Sequence, residues 1–503
     1  MSVVMVLLVV LPLVATLVCL RAPHRVAASV TAVTGIISFI LAVALVPAAK
    51  GHTITGLHYL RADALSVIFL LGTCFLYAVV GLYAVGYLAD EERAVRSETA
   101  EQQALFAHHS ARFYLGLNAF AWSMICAPLV NGLALLWIAV EITTVVSALL
   151  VALDNTEGAT EAAWKYVLIA SSGLGIALLA TIFMYYAGAK VLGESYDLAF
   201  DPLISAAGQL PQTPIRLAFV LAVVGFGTKV GFFPVHTWLP DAHAEAPTPI
   251  SALLSGSLLA VSFYAILRYY QIAAGTLQTR FPEIVLLVFG VLSLLLAALY
   301  LLEQRDIKRL LAYSSVEHMG ILAIGISFGA PIALSGVLLH VLAHAAAKGN
   351  AFMGAGVLVR KFGTKELGRM TRGIELLPWS GPLFLTAVLA LSAMPPFGLF
   401  RSEFQIVTGG FAHGRNVFTA VLVCLVTLAF LGLSLATTRI LFHPEPDEST
   451  DAAPVLTRGE PSQWMVTPVV AGVLVLLVLG LAPPPDLLDL LNSGARELLA
   501  GAP

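Results

Sequence analysis

Charge is scarce in this sequence. Asp, Glu, Lys and Arg together supply 11% of its 503 residues, while 59% are hydrophobic, against roughly 45–50% apolar content in soluble domains. A water-soluble fold is thereby excluded. A basic excess is missing too: the net charge is -3 and the isoelectric point is near 6.5, so nothing in the composition argues for nucleic acid or an acidic macromolecular substrate. Cysteine is sparse. Cys19, Cys74, Cys126 and Cys424 stand far apart in apolar segments, with no spacing that holds zinc or an iron–sulfur cluster. No metal or cofactor is therefore expected in this chain, and any redox step is expected in another one. Around Cys19 no positively charged stretch precedes the apolar run and Val18 is not small, so residues 2 to 20 read as a first spanning helix rather than a lipoprotein signal.

What the sequence has instead is long apolar runs. A helix needs about 20 apolar residues to cross the hydrocarbon core, because each backbone polar group must be paired within the segment. Windows of that size predict an all-α polytopic membrane protein of about fourteen helices. Residues 1–111 form a peripheral N-terminal group, 112–271 and 283–441 two halves of five helices each, and 442–503 a last span with a short tail. In that tail Leu487, Leu488, Leu490 and Leu491 point to a helix lying along the interface. Lysine and arginine fall twice as often in the loops of one side, which by the positive-inside tendency places both termini on the periplasmic side of a bacterial inner membrane.

Two spans are interrupted, one at Gly225, Gly227, Gly231 and Pro234 and the other at Pro395, Pro396 and Gly398. Glycine and proline are common in membrane helices, but breaks at corresponding places in two halves point to inverted repeats around a binding region. Discontinuous helices are thus expected near 225–240 and 390–405. Glu141 precedes Lys229 by 88 positions and His318 precedes Glu403 by 85, which fits the same two-fold pattern.

An ionisable residue in mid-span costs roughly 2.5–3.5 kcal/mol on insertion scales and needs a partner or water. Glu141 and Lys229 read as such a pair, either a fixed tie between helices or a switch whose separation decides who holds a proton. His340, His344 and Lys348 repeat every four residues on one helical face. With His318 on the preceding helix they form a string of proton-exchanging groups, or a satisfied core, and the His340/His344 spacing also admits zinc. Glu403 can end the route, with Arg401 near the interface or paired to it. His236, Asp241, His243 and Glu245 read as a polar turn at the cytoplasmic face, either an ion entrance or a helix-capping arrangement using Asp241 and Thr248.

The run Gly227-Thr-Lys-Val-Gly-Phe-Phe-Pro-Val-His-Thr-Trp-Leu-Pro-Asp-Ala-His-Ala-Glu-Ala-Pro-Thr-Pro249, with Asp306-Ile-Lys-Arg-Leu-Leu-Ala-Tyr-Ser-Ser-Val-Glu-His-Met-Gly320, resembles the antiporter-like subunits of respiratory complex I. Multisubunit cation/proton antiporters and the membrane arms of group 4 nickel–iron hydrogenases belong to the same family. Ser314–Gly320 and Met394–Phe404 look most like the hydrogenase-4 component F branch. The resemblance covers about residues 112 to 441. It implies fourteen helices with two inverted five-helix repeats and a proton path through Glu141, Lys229, His318, His344, Lys348 and Glu403. It also implies partners, namely other membrane subunits and through them a peripheral redox module. The alternative it leaves is an antiporter or inorganic-carbon transporter without redox partners. One position departs from the family: where complex I subunits usually carry a lysine on the eighth helix, this chain has Ala260. The central relay must then use water, Ser262 or Tyr264, or be lost, leaving a non-conducting scaffold. The long lateral C-terminal helix of some relatives is not expected in a sequence that stops at Pro503.

Overall fold

The computed structural model describes residues 1–443 and 456–499. Helices α1 (Ser2–Cys19) and α2 (His24–Ala49) form an outer layer against α3 (Ala64–Val95) and α4 (Ala100–Leu129). A two-stranded hairpin that hydropathy did not foretell, β1 (Ile54–Gly56) with β2 (Leu60–Ala62), joins α2 to α3 and pairs Ile54 with Ala62. Helix α3 starts where Asp63 accepts the Ser66 amide. Helix α4 starts at a capping box made by Thr99 and Gln102, which extends it outward from the span expected to begin at residue 112.

The first half continues with α5 (Leu133–Val151), α6 (Glu157–Leu192), the short α7 (Phe200–Ser205), α8 (Gln212–Val230) and α9 (Trp238–Glu245). It closes with α10 (Thr248–Leu253), which runs through a π-helical turn at Leu254–Leu258 into α11 (Leu259–Leu277). The second half comprises α12 (Phe281–Leu301), α13 (Ile307–Ser327), α14 (Pro331–Phe362), the one-turn α15 (Gly373–Leu376), α16 (Ser380–Leu391), α17 (Gly398–Ala412) and α18 (Asn416–Phe442). Then follow α19 (Gln463–Leu481) and α20 (Pro485–Leu499). Among the described residues 12 helices are long and apolar enough to span a membrane. The two further crossings expected from sequence fall on α4 and on the α16–α17 pair, of which α16 is a shorter apolar helix. In each half the fourth crossing is the broken one, at 231–237 and at 392–397.

Lipid-facing helices gain little from burying apolar surface against one another, so close backbone approach through small residues has to supply the packing. Gly290 of α12 and Gly320 of α13 meet so tightly that a Cβ on either would lie 2.9 Å from the other's carbonyl oxygen. On α8, a Cβ at Gly225 would lie 2.7 Å from the carbonyl oxygen of Gly173 on α6. Large apolar side chains such as Leu149, Leu168, Val288 and Leu435 remain exposed on the outer helices, as contact with acyl chains requires. Helices α3, α10–α11, α13 and α14 are almost wholly enclosed. Helix α20 buries Leu490, Leu491 and Leu498 against α3 and α14, while Leu487 and Leu488 stay half-buried.

Candidate functional site

Lys229 stands in the last turn of α8, just before Gly231 takes a left-handed conformation (φ 87°) that ends the helix. The broken backbone is satisfied by protein. Gly231 and Phe232 donate to the Gly227 carbonyl at 2.9 Å, the Trp238 indole donates to the Thr228 carbonyl at 2.7 Å, and the Phe233 amide donates to Ser293 Oγ of α12 at 3.0 Å. Lys229 itself is fully buried. Its Nζ donates to Tyr166 OH at 2.6 Å and to Thr144 Oγ1 at 3.0 Å, and Tyr166 OH lies 2.7 Å from Ser147 Oγ.

No carboxylate lies within ion-pair distance of Lys229 among the described residues. The fixed Glu141–Lys229 tie, one of the two readings of this pair, is therefore corrected, whereas a switch set by their separation is not. Both residues reach the same face of α5, where Thr144 sits one turn beyond Glu141 and takes the lysine. Glu141 is half-buried, accepts from Ser171 Oγ at 3.3 Å, and keeps Oε2 buried without a partner.

The second half repeats this arrangement with other residues. Lys348 of α14 is fully buried and donates to the Leu311 carbonyl at 2.9 Å and to Ser314 Oγ of α13. One turn beyond Ser314 lies Glu317, buried, with Oε2 unpartnered. Sequence reasoning missed Glu317, although a carboxylate in mid-span beside His318 was signal enough. Next in line, His318 Nδ1 lies 3.1 Å from His340 Nε2, and His340 Nδ1 lies 3.0 Å from Ser402 Oγ of α17. The His344 ring centre is 5.1 Å from that of His318, and both His344 nitrogens are buried without a partner. Glu403 follows Ser402, and one atom each of His318, His340 and Glu403 lie within 4.8 Å of one another. It is this trio that converges, not the His340/His344 pair of the zinc reading, and the hydrogen bond between the two histidines already occupies one nitrogen of each. Arg401 reaches the Gly480 carbonyl at 3.4 Å and makes no ion pair with Glu403 within 4.0 Å among the described residues.

Between the halves the structure corrects three expectations. Ser262 Oγ donates to its own helix at the Leu258 carbonyl, 2.9 Å away. Tyr264 belongs elsewhere: its OH lies 3.1 Å from Ser66 Oγ and accepts from Arg268 Nε at 3.0 Å. The supposed polar turn at residues 236–245 divides in two. Asp241 pairs with Arg309 at 2.5 Å and Lys165 at 3.3 Å, and Glu245 with Lys365 at 3.2 Å, while neither Asp241 nor Thr248 makes a side-chain cap. His236 is buried against Phe233 and Tyr313. His243 is fully buried with Nδ1 on the Leu239 carbonyl at 2.8 Å and Nε2 unpartnered. Its ring lies 6.2 Å from Trp238, which packs 4.4 Å from Tyr166, and 5.7 Å from Phe352, one turn beyond Lys348. His243, placed by the sequence at the cytoplasmic face, is therefore a buried ionisable side chain linked by ring packing toward both lysine centres.

A separate ionic knot ties α3, α11 and α20 together. Asp63 receives Arg268 at 2.6 Å and also Arg61, and Arg61 reaches Asp201 at 2.7 Å. Burial pushes the Asp63 carboxyl up, but the Arg268 and Arg61 guanidiniums outweigh it and hold the group well below the usual carboxylate range. Arg268, counted as a loop cation from sequence, is in fact buried. Glu497 of α20 accepts the Ala64 and Leu65 amides at 3.1 Å each. Its own burial, with Asp63 nearby, raises it from 4.5 to about 8.

Residues 130–429 match the family described as NADH:quinone oxidoreductase/Mrp antiporter, TM. The chain is 34% identical over 397 residues to a hydrogenase-4 component F homolog of Methylacidiphilum infernorum, covering 78% of this chain and 81% of that one. It is 31% identical over 372 residues to hydrogenase-4 component B of Escherichia coli, covering 71% of this chain and about half, 51%, of that relative. Its fold is similar to a chain in the structure of the Mrp complex from Dietzia sp. DQ12-45-1b, with a TM-score of 0.84 at 20% identity, covering 99% of this chain and 97% of that one.

Proposed function

The chain belongs to the NADH:quinone oxidoreductase/Mrp antiporter family of multi-pass membrane proteins, and from that membership we propose that it translocates protons as a subunit of a multisubunit redox complex of the hydrogenase-4 or NADH:quinone oxidoreductase type. One observation carries the reading. Each half holds a fully buried lysine on uncharged oxygens, beside a carboxylate oxygen left unpartnered. A buried ammonium without a counter-ion is poorly compensated, so nearby charge decides whether it keeps its proton. The route runs from Glu141 past Tyr166 and Lys229, across His243 to Lys348 and Glu317, then through His344, His318 and His340 to Glu403.

No group in this route carries electrons. Work must reach it as a change in charge or geometry made by other subunits, so the redox partner is a peripheral module bound through neighbouring membrane subunits. The asymmetry of the loop cations supports a chain with both termini on the periplasmic side of a bacterial inner membrane. Removing Arg268 from the outer tally, since it is paired inside the fold, widens that asymmetry.

In vesicles reconstituted with the intact complex, Lys229→Ala and Lys348→Ala should each abolish coupled proton movement while the complex still assembles. Undiminished pumping in both variants overturns the route. Copurifying nickel- and cluster-binding chains support the redox assignment, whereas their absence from an active complex favours a cation antiporter or inorganic-carbon module.

A further inference from the structure

Outside the proton route, an apolar groove of about 450 Å³ lies between α2, α3, α19 and α20. Its walls are Phe39, Val43, Phe75 and Val478, and its floor reaches Leu342 of the otherwise enclosed α14. Gly72 keeps the floor open, and Ala345 lies just beneath, since a Cβ at Gly72 would sit 3.4 Å from that of Ala345. The groove ends in charge. Asp486 lines the mouth, and Lys50 Nζ contacts Asp486 and lies 3.6 Å from Asp489. A hydrogen bond from Ser493 Oγ to the Lys50 carbonyl fixes this corner to α20.

We propose that this groove binds one phospholipid of the phosphatidylethanolamine class, an acyl chain lying between α3 and α19 and the headgroup at Asp486, Asp489 and Lys50. Depth selects an acyl chain. From Ala64 at the start of α3 to Phe75 is about 16 Å of helix at 1.5 Å per residue, roughly half of the ~30 Å hydrocarbon core. A partner's spanning helix would need the full thickness. Charge selects the headgroup: Asp486 and Asp489 stand with Lys50 and with Arg496, which donates to Ser493 Oγ at 2.9 Å in the same corner, so a zwitterionic headgroup fits, its ammonium on the carboxylates and its phosphate on the cations. The bound chain packs against Leu342, two residues from His344, and so supports the helix that carries the histidine row.

The test uses the full chain in the assembly with which it purifies, exchanged through vesicles containing equal phosphatidylethanolamine and phosphatidylglycerol and then analysed by native mass spectrometry. The wild type should retain one phosphatidylethanolamine per chain. Val43→Trp with Val478→Trp fills the groove and should lose it. Asp486→Asn with Asp489→Asn leaves the groove open but should lower the ratio of retained phosphatidylethanolamine to phosphatidylglycerol by about tenfold, the equivalent of one lost charged contact. Wild type without bound lipid, full retention in the filled variant, an unchanged ratio in the asparagine variant, or a neighbouring subunit cross-linking through a cysteine at Val478 would each overturn the proposal.

Discussion

Lys229 and Lys348 are each held by neutral oxygens, and this shapes what single substitutions should do. Removing a hydroxyl from Lys229 leaves an ammonium with fewer partners in a place water reaches poorly. Tyr166→Phe should therefore cost about 1.5–3 kcal/mol of stability, the range for hydrogen bonds to charged groups, read as a lower unfolding temperature in detergent. His243 provides a sharper test of the central crossing. His243→Phe keeps the ring packing against Trp238 and Phe352 but removes the nitrogens, and should slow proton movement on the order of 10²-fold, as losing a positioned proton-transfer group does. Tyr264→Phe should leave the rate within about twofold, because that hydroxyl serves the Arg268 knot rather than the path. The opposite ranking in a vesicle pH-dye assay would return the crossing to α11. The single residues legible in the sequence were those out of place in an apolar run: Glu141, Lys229, Lys348 and Glu403. Their partners were not legible, because serine, threonine and tyrosine hydroxyls are ordinary in such runs and only the fold shows which of them face a lysine.

At the scale of elements, backbone contact between helices is the vulnerable feature. Gly290→Val or Gly320→Val should push α12 from α13 and destabilise the chain by about 1–3 kcal/mol, the usual cost of overpacking, seen as faster proteolysis between these helices. Helix α20 should respond to pH. Glu497 is raised from 4.5 to about 8 where it is docked, so the docked state holds a proton that a free carboxyl would already have released. Docking is then at full strength below about pH 4.5, weakens as pH rises from there to about 8, and changes little above. Hydrogen-exchange protection of Leu490–Leu498 should fall over that window, and Glu497→Gln should flatten the dependence. Both interrupted helices were legible from glycine and proline, whereas the hairpin at Ile54–Ala62 was not, since two three-residue strands leave no periodicity to read.

For the molecule as a whole, the all-helical, multi-pass architecture could be read from hydropathy because the bilayer fixes the length of every span. Long-range ties could not. Arg268 finds Asp63 from 205 positions away, and from sequence it read as one more loop cation. The same limit applies to Asp241, which read as part of an ion entrance or as a helix cap and instead pairs with Arg309 and Lys165. One of these ties has a consequence for how the protein is made. Glu497 reaches the amide of Leu65 from 432 positions away, and a ribosome adding about 5–20 residues per second needs roughly 20–90 s to cover that stretch. The third helix therefore enters the membrane long before the carboxylate that accepts its first two amides is synthesised. Arg61 can pair with Asp63 as soon as both are made, Arg268 joins midway and Glu497 arrives after both, so the newborn chain closes this corner in stages.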